Sequence, residues 1–259
     1  MEKVKNLCVI QARLGSTRLP GKVLMKVGDV PLLEYELKRV QLAKKIDKIV
    51  VATSVEKRDD EIEKLCGRLG VDCFRGSEDD VLDRYYQCSL KYSQFDNILR
   101  VTGDCPLIDP AVIDQVISLF EKGGYDYASN VLKETFPDGL DVEIFKRSVL
   151  HEAAREAELP SDREGVDEYI LRGRKYKKGN LSAAADWSRF RLTLDEKEDF
   201  AVIKFLIENS EITDGYSRYI SLLNKHPEIV ALNSRFKRNE GSLKALEKDK
   251  IFLKNKKKI

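Results

Sequence analysis

The first 130 residues alternate four times between a short apolar run and a longer amphipathic stretch. The apolar runs predict buried strands over residues 4–10, 48–53, 71–75 and 97–102. Apolar side chains at helical spacing predict helices over residues 31–45, 59–69, 79–92 and 110–123. Such alternation is typical of parallel strands joined by helices that cover both faces of the sheet. We therefore predict an α/β fold with a mostly parallel sheet.

The regular alternation ends near residue 130. Apolar and acidic side chains then alternate over residues 140–145, as in a half-exposed strand, and residues 189–194 are also strand-like. Helices are predicted over 148–158 and 163–171, and a basic loop over 172–180. We expect one domain over residues 1–245 with a small insertion in its second half. Residues 246–259 should form a solvated, frayed basic tail.

Composition excludes several classes of protein. Lys and Arg total 46 and Asp and Glu 44, a balance that argues against a dedicated nucleic-acid binder. No apolar run approaches the roughly 20 residues of a membrane span, and the first apolar stretch is too short for a signal peptide. Five cysteines without a C-x-x-C pair and only two histidines argue against a zinc site. We expect a reduced, cytoplasmic protein.

A polar loop, residues 11–22, follows the first predicted strand with the sequence QARLGSTRLPGK. In parallel α/β sheets, ligands bind beyond the carboxyl ends of the strands. The loop combines glycines that allow close backbone approach, two hydroxyls and three cations: Gly15, Gly21, Ser16, Thr17, Arg13, Arg18 and Lys22. This combination suits a polyphosphate. It is not a Walker A loop, because Val23 follows Lys22 where that motif needs Ser or Thr.

Two aspartates are candidate Mg²⁺ ligands. Asp104 follows the fourth predicted strand, where a carboxylate can hold Mg²⁺ against phosphate oxygens. Asp109, directly before Pro110, is the better candidate for a helix cap there. Asp195 precedes an acidic helix start, and from sequence alone a simple N-cap is the favoured interpretation of that residue.

The run A-R-x-x-S-T-R-L-P-G-K resembles the signature of the cytidylyltransferases that make CMP-linked sugar acids, the acylneuraminate and 3-deoxy-manno-octulosonate enzymes. The closer resemblance is to the spore-coat polysaccharide biosynthesis type of cytidylyltransferase. It extends through residues 50–54, 75–85, 100–109, 136–143 and 191–196, and so covers the chain to about residue 210. Beyond that point no family pattern is recognised.

The resemblance implies a Rossmann-like fold of the nucleotide-diphospho-sugar transferase type. It also implies a reaction in which CTP and an acidic sugar give a CMP-linked product and pyrophosphate, with Mg²⁺ as cofactor and a homodimer as the assembly. Residues 1–130 would be the nucleotide-binding half, and residues 131–210 the half for the acceptor and dimerisation. Neither a nucleic acid nor a membrane is expected as a partner.

The resemblance also assigns site residues. Those expected to bind nucleotide are Ala12, Arg13, Gly15, Ser16, Arg18, Lys22, Thr53, Ser54, Gly76, Ser77 and Arg84. Arg13, Lys22 and Asp104 are the expected catalytic residues, and Asp195 becomes a second metal ligand beside Asp104. For Ser77, helix capping is an equally good interpretation.

Asp138, Asp141 and Glu143 lie where the family holds its acceptor, although alternating acids on an edge strand are also common for solvation. A histidine is expected after residues 163–164, but this chain has Gly165-Val-Asp-Glu168 there. Either the local match is out of register or the acceptor differs. Our hypothesis is a different acceptor, whose hydroxyl or amino groups bind those acids, with Arg163 as its only nearby cation.

Other functions stay open from the sequence. One is a nucleotidyltransferase of the same fold that uses another NTP and a sugar phosphate or phosphonate. A second is a glycosyltransferase of similar fold, although Asp104-Cys-Pro lacks the second aspartate of a D-x-D metal motif. A third is a non-catalytic nucleotide-binding subunit.

Overall fold

The computed structural model describes residues 4–238 and 240–256 of the 259-residue chain. Its strands are β1 Asn6–Gln11, β2 Lys26–Val27, β3 Val30–Pro31, β4 Lys48–Ser54, β5 Asp72–Gly76, β6 Asn97–Thr102, β7 Tyr127–Ser129, β8 Glu143–Lys146 and β9 Lys178–Asn180. Its α-helices are α1 Leu32–Val40, α2 Asp60–Leu69, α3 Val81–Lys91, α4 Pro110–Gly123, α5 Arg147–Glu156, α6 Pro160–Gly165, α7 Glu168–Arg172, α8 Lys197–Glu208, α9 Tyr216–Lys225, α10 Pro227–Asn233 and α11 Glu240–Lys256. Short 3-10 helices lie at Lys22–Leu24 and Lys57–Asp59.

The main sheet has seven strands in the order β5-β4-β1-β6-β8-β7-β9. Only β8 runs antiparallel to its neighbours, so the prediction of a mostly parallel sheet is confirmed. Gln11, the last residue of β1, lies opposite both Ala52 and Thr102. The carboxyl ends of β1, β4, β5 and β6 therefore meet at one edge of the sheet.

Helices cover both faces of the sheet, as the sequence predicts. On β1, Cys8 and Ile10 point to one face, and Leu7 and Val9 to the other, because side chains alternate along a strand. The first face packs against α1, α2, α4, α8 and α9, and the second against α3, α5 and α7. Burying each large apolar side chain contributes about 1.5–3 kcal/mol, so these two layers dominate the stability of the fold.

From β7 onwards, the chain departs from the sequence prediction in four places. Strand β9 lies inside the predicted loop 172–180, and β7 was not predicted, because each is only three residues long. The predicted strand over 189–194 is wrong, since the segment makes only an isolated bridge between Asp138 and Arg191. The predicted helix over 163–171 is split into α6 and α7 at Val166, whose φ of 69° lies in the left-handed region.

The C-terminal segment is an ordered helix as far as residue 256. Helix α11 packs on α6, where the Asp249 carboxylate accepts hydrogen bonds from the main-chain N of Ser161 at 2.9 Å and its Oγ at 2.6 Å. The predicted domain boundary at residue 245 thus falls inside α11. The prediction of a frayed tail is wrong for 246–256, because Ala245 and Asp249 share the buried side while the lysines face outward. Residues 257–259 lie outside the described chain.

Within the described ranges, no helix is both long and apolar enough to span a membrane.

Candidate active site

The basic loop crosses the carboxyl edge of the sheet. Ala12 N donates to the Ala52 carbonyl at 3.2 Å, and Gly103 N donates to the Gln11 carbonyl at 2.8 Å. A Cβ on Gly103 would lie 2.9 Å from the Ala12 Cβ, so the loops after β1 and β6 approach this closely only with glycine there. Gly21, with a φ of 73°, turns the chain into the 3-10 helix that begins at Lys22.

Lys22 is the centre of the site. Its buried Nζ lies 2.6 Å from Asp104 Oδ2 and 2.8 Å from Asp195 Oδ1. Arg18 Nη2 contacts the same Asp195 oxygen at 2.7 Å. Burial alone would raise the pKa of Asp104, but the Lys22 ammonium outweighs it and lowers that pKa to about 2. Asp104 is therefore held ionised, and both carboxylates face a single cation position.

Asp195 is not a helix cap, so the interpretation that the sequence alone favours is wrong. The N-cap of α8 is Glu196, which forms a capping box with Asp199. The Asp195 carboxylate instead contacts Lys22, Arg18 and also Arg191, whose Nη2 lies 3.0 Å away. For Asp109 the expected capping role is confirmed, since its side chain accepts from Ala111 N at 2.8 Å.

The two carboxylates suit Mg²⁺ bound jointly by protein and substrate, rather than a metal ion bound by protein side chains alone. Across residues 4–238 and 240–256, no group of three or more His, Cys, Asp or Glu side chains could hold a metal ion. Asp104 and Asp195 nevertheless converge on the point where the Lys22 ammonium lies. Mg²⁺ commonly takes one or two carboxylates and completes its shell with substrate phosphates and water. The pair therefore suits a metal ion that arrives with a nucleotide.

The loop is joined to the segment after β5 by Glu78. Arg13 Nη1 donates to the Glu78 carbonyl at 3.3 Å, and Arg58 forms an ion pair with the Glu78 carboxylate. A Cβ on Gly15 would come within 2.5 Å of Glu78 Oε1, so the backbone passes this carboxylate at a place where a side chain would clash. The predicted nucleotide-binding residues Arg13 and Gly15 are thus brought beside the loop that carries Gly76 and Ser77.

Several predicted nucleotide-binding hydroxyls are used in local structure. Ser54 Oγ donates to the Asp59 carboxylate, whose other oxygen accepts from Leu14 N at 2.8 Å. Ser16 Oγ accepts from Leu19 N at 3.3 Å, and Ser77 Oγ accepts from the main-chain N at position 80 at 3.1 Å. These contacts shape the loops, and the proposed role of each serine in binding nucleotide stays a prediction.

Arg84 and Thr53 carry buried polar atoms that lack a partner among the described residues. Only 2% of Arg84 is exposed, yet its Nε and Nη1 make no hydrogen bond, and neither does the buried Oγ1 of Thr53. A Cβ on Gly76 would lie 3.0 Å from the Arg84 Cγ. Burial, together with the nearby Arg13, lowers the pKa of Arg84. Unpaired buried donors are costly, so this part of the site is built for a partner from outside the chain.

The acceptor-side acids Asp138 and Asp141 are brought together by two arginines. Asp138 Oδ2 lies 2.8 Å from Arg191 Nη1, and its Oδ1 lies 3.7 Å from Arg238 Nε. Arg238 also forms an ion pair with Asp141. Burial and the neighbouring Asp138 raise the pKa of Asp141 to about 7 against the opposing effect of Arg238. Because Arg191 also contacts Asp195, this acidic cluster adjoins the candidate metal ligands.

The other two residues assigned to the acceptor lie apart from this cluster. Glu143, on β8, accepts a hydrogen bond from Arg100, the residue opposite it on β6, and burial raises the Glu143 pKa to about 8. Arg163, on α6, donates to Asp80 at 2.8 Å and to the Ala154 carbonyl at 2.8 Å. The prediction that Arg163 is the only cation near the acceptor acids is wrong, because Arg191 and Arg238 contact them directly. Binding of an acceptor by Glu143 and Arg163 stays a prediction.

Two functional candidates could not be found from the sequence. Arg191 belongs to the R-L-T-L-D-E stretch that carries the resemblance, but the stretch gave no signal that its arginine would bridge three aspartates. Arg238 lies beyond residue 210, where the sequence showed no recognisable pattern.

A polar loop facing two convergent carboxylates at the carboxyl edge of a parallel sheet is the arrangement of a nucleotide-binding α/β protein. Comparison with known protein families identifies the family within this class. The cytidylyltransferase family model matches residues 7–225, so the chain belongs to the cytidylyltransferase family. The predicted resemblance is confirmed.

The relatives agree with this assignment. The spore coat polysaccharide biosynthesis protein SpsF of Bacillus subtilis is 36% identical over 234 residues, which cover 86% of this chain and 95% of that protein. The solved structure of a cytidylyltransferase from Leptospira borgpetersenii is 36% identical, has a TM-score of 0.84, and is matched over 88% of this chain and 97% of that one. The solved structure of CMP:2-keto-3-deoxy-manno-octonic acid synthetase complexed with CTP has a TM-score of 0.64. At 18% identity over 79% of this chain and 99% of that one, it shows the shared fold.

Proposed function

We propose that this protein transfers CMP from CTP to a hydroxyl of an acidic sugar and releases pyrophosphate, in the synthesis of a surface polysaccharide or related glycan. The observation that carries the proposal is the convergence of Asp104 and Asp195 on one cation position beside Lys22 and Arg18 of the basic loop. This arrangement can hold a triphosphate with its α-phosphorus near the two carboxylates.

The relatives support the choice of nucleotide and pathway. One relative is named a spore coat polysaccharide biosynthesis protein, and the octonic acid synthetase of the same fold was solved with CTP. The unpartnered buried atoms of Arg84 and Thr53 are the candidates for contact with the nucleoside.

The chemistry needs no covalent enzyme intermediate. The acceptor oxygen forms a bond to the α-phosphorus, the bond from the α-phosphorus to the bridging oxygen breaks, and pyrophosphate leaves. Arg13, Arg18 and Lys22 would neutralise the β- and γ-phosphates and the charge that develops on the leaving group. Lys22 can do so only if its ammonium turns from the two aspartates towards a phosphate oxygen.

We include Mg²⁺ dependence in the proposal. Asp104 and Asp195 would hold the ion, which when bound would supply positive charge to the phosphate oxygens. The role of the chain would be to aim both carboxylates at one point, and the contacts of Lys22 and Arg191 with them support this. A homodimer and a cytoplasmic location, both expected from the resemblance or composition, are tested by light scattering and by cell fractionation.

The direct test is pyrophosphate release from each of the four nucleoside triphosphates, with a panel of ulosonic acids, sugar phosphates and phosphonates. We expect release from CTP with a ulosonic acid, and none when Mg²⁺ is chelated. Preference for another triphosphate together with a sugar phosphate would contradict the proposal. It would favour a nucleotidyltransferase of the same fold with a different substrate pair.

A further inference from the structure

The chain beyond residue 225, which the family model does not match, returns to the acceptor side of the site. Asn233, at the end of α10, is buried and donates from Nδ2 to the Arg191 carbonyl at 3.0 Å and to Asp199 Oδ1 at 2.9 Å. These bonds fasten the segment to the arginine that bridges Asp138 and Asp195. The residues that follow Asn233 are thereby held against the acidic cluster.

Arg238 lies in that cluster, where two of its donor atoms, Nε and Nη1, make only long contacts. Its side chain is 12% exposed and, among the residues that the structure describes, forms one close ion pair, from Nη2 to Asp141. Nη1 lies 3.3 Å from the Phe136 carbonyl, while Nε lies 3.4 Å from Glu134 and 3.7 Å from Asp138. Strong N–H···O bonds between charged groups are about 2.7–2.9 Å long, so Nε and Nη1 can still gain from a closer partner.

Two other arginines, Arg191 and Arg163, already make short hydrogen bonds to protein groups. The Arg191 side chain is 7% exposed and makes bonds of 2.8–3.0 Å to Asp138, Asp195 and Asp199. Arg163 is held by Asp80 through a bond of 2.8 Å. In Arg238, by contrast, Nη2 can keep Asp141 on one of its two hydrogens while its other hydrogen forms a fork to a ligand together with Nε or Nη1.

We infer that Arg238 is an acceptor-binding residue that holds the carboxylate of the acidic sugar. The inference rests on the proposed function. An anionic acceptor that approached Glu134, Asp138 and Asp141 would be repelled unless a cation lay among them. A guanidinium binds a carboxylate through two parallel hydrogen bonds, which fixes its orientation as well as its charge. Hydroxyl groups of the same sugar can donate to the neighbouring aspartates.

The test compares each acid with its methyl ester, which removes the negative charge but keeps the hydroxyls. The probes are 3-deoxy-manno-octulosonic acid and N-acetylneuraminic acid, each used with its ester in the pyrophosphate-release assay. With the wild-type protein, the KM for the preferred acid should be at least about 10-fold below that for its ester. In Arg238→Gln the KM for the acid should rise about 10- to 150-fold, and the ratio of the two KM values should approach one. The KM for CTP should stay within about twofold.

Arg235→Gln is the matched control. Arg235 lies in the same segment but forms an exposed ion pair with Glu198, so its removal should leave the ratio of ester to acid unchanged. Arg238→Lys keeps the charge without the fork and should give a ratio between those of the wild type and Arg238→Gln. Equal Tm values for these variants would exclude loss of folding as the cause.

The outcomes separate this inference from the proposed function. If the wild-type protein uses an acid and Arg238→Gln keeps the full preference for acid over ester, the role of Arg238 is overturned and the proposed function stands. Equal KM values for acid and ester in the wild-type protein would likewise overturn the role of Arg238 and leave the proposed function standing. If the wild-type protein binds CTP in calorimetry but uses neither acid, the proposed class of acceptor fails and this inference fails with it.

Discussion

Lys22 donates a 2.8 Å hydrogen bond to Asp195, a residue 173 positions further along the chain. The same ammonium lies 2.6 Å from Asp104, so one buried cation joins the loop after β1, the loop after β6 and the start of α8. Two carboxylates close enough to share one ammonium repel each other unless a cation lies near both. The bonds of Lys22 therefore stabilise the site without a ligand, and the proposed function requires them to rearrange for phosphate and metal.

The first prediction follows from this role of Lys22. Lys22→Met removes the shared cation, so Asp104 and Asp195 repel each other and Tm should fall at neutral pH. Mg²⁺ should raise the Tm of the variant more than that of the wild type, in which the ion competes with the ammonium. The kcat/KM for CTP should fall about 30- to 150-fold, for the loss of about 2–3 kcal/mol of charged contact.

Thermal melts with and without Mg²⁺ measure the metal effect independently of turnover. Lys26→Met, at an exposed lysine of β2, is the control and should change neither the Mg²⁺ shift nor kcat/KM. An equal Mg²⁺ shift in wild type and Lys22→Met would contradict the idea that ion and ammonium share one position.

The second prediction separates the two acidic residues before α8. Asp195→Asn should abolish Mg²⁺-dependent turnover with little change in Tm, because Asp195 does not cap the helix. Glu196→Ala removes the cap, which costs about 1 kcal/mol, or about 2–4 °C in Tm, but should leave most of the turnover. Full activity in Asp195→Asn would return that residue to a purely structural role.

The parts of the fold that sequence could predict are those fixed by local patterns. The apolar runs that became β1, β4 and β6 are mostly buried, while β5 is half-buried, and such runs are visible without any knowledge of the tertiary structure. Asp104 could be placed because the end of a parallel strand lies at the edge where ligands bind. The three-residue strands β7 and β9 are set by their pairing with distant partners, which no local pattern records.

The unpredicted part of the site depends on contacts between distant residues. The sequence alone favoured Asp195 as the cap, but the capping box of α8 starts one residue later, at Glu196, with Asp199 as its partner. Arg238 meets Asp141 across 97 residues, from a segment without family pattern or periodicity. Tertiary packing sets the position of such charged side chains. From sequence alone, an arginine in a polar segment would be predicted to be solvent-exposed.

The third prediction concerns Arg84, whose buried Nε and Nη1 have no hydrogen-bond partner in the described part of the chain. Arg84→Met keeps most of the buried volume and removes an unpaired charge, so Tm should be unchanged or higher. The affinity for CTP should nevertheless fall about 10- to 150-fold, because a charged hydrogen bond to the nucleotide is lost. Calorimetry with CTP and a thermal melt measure the two effects. A lower Tm with unchanged affinity for CTP would assign Arg84 to the core alone.

The last prediction is the pH dependence that buried Glu143 imposes on stability. Burial outweighs Arg100 and raises the pKa of Glu143 from 4.5 to about 8. Between those values the folded protein binds a proton that the unfolded chain has released, so the free energy of unfolding should fall as pH rises and level off above about pH 8. Glu143→Gln removes this proton, so the Tm of the variant should fall less than that of the wild type between pH 5 and 8. Glu61→Gln, at an exposed residue of α2, should follow the wild type. Parallel Tm curves for Glu143→Gln and wild type over this range would contradict the raised pKa.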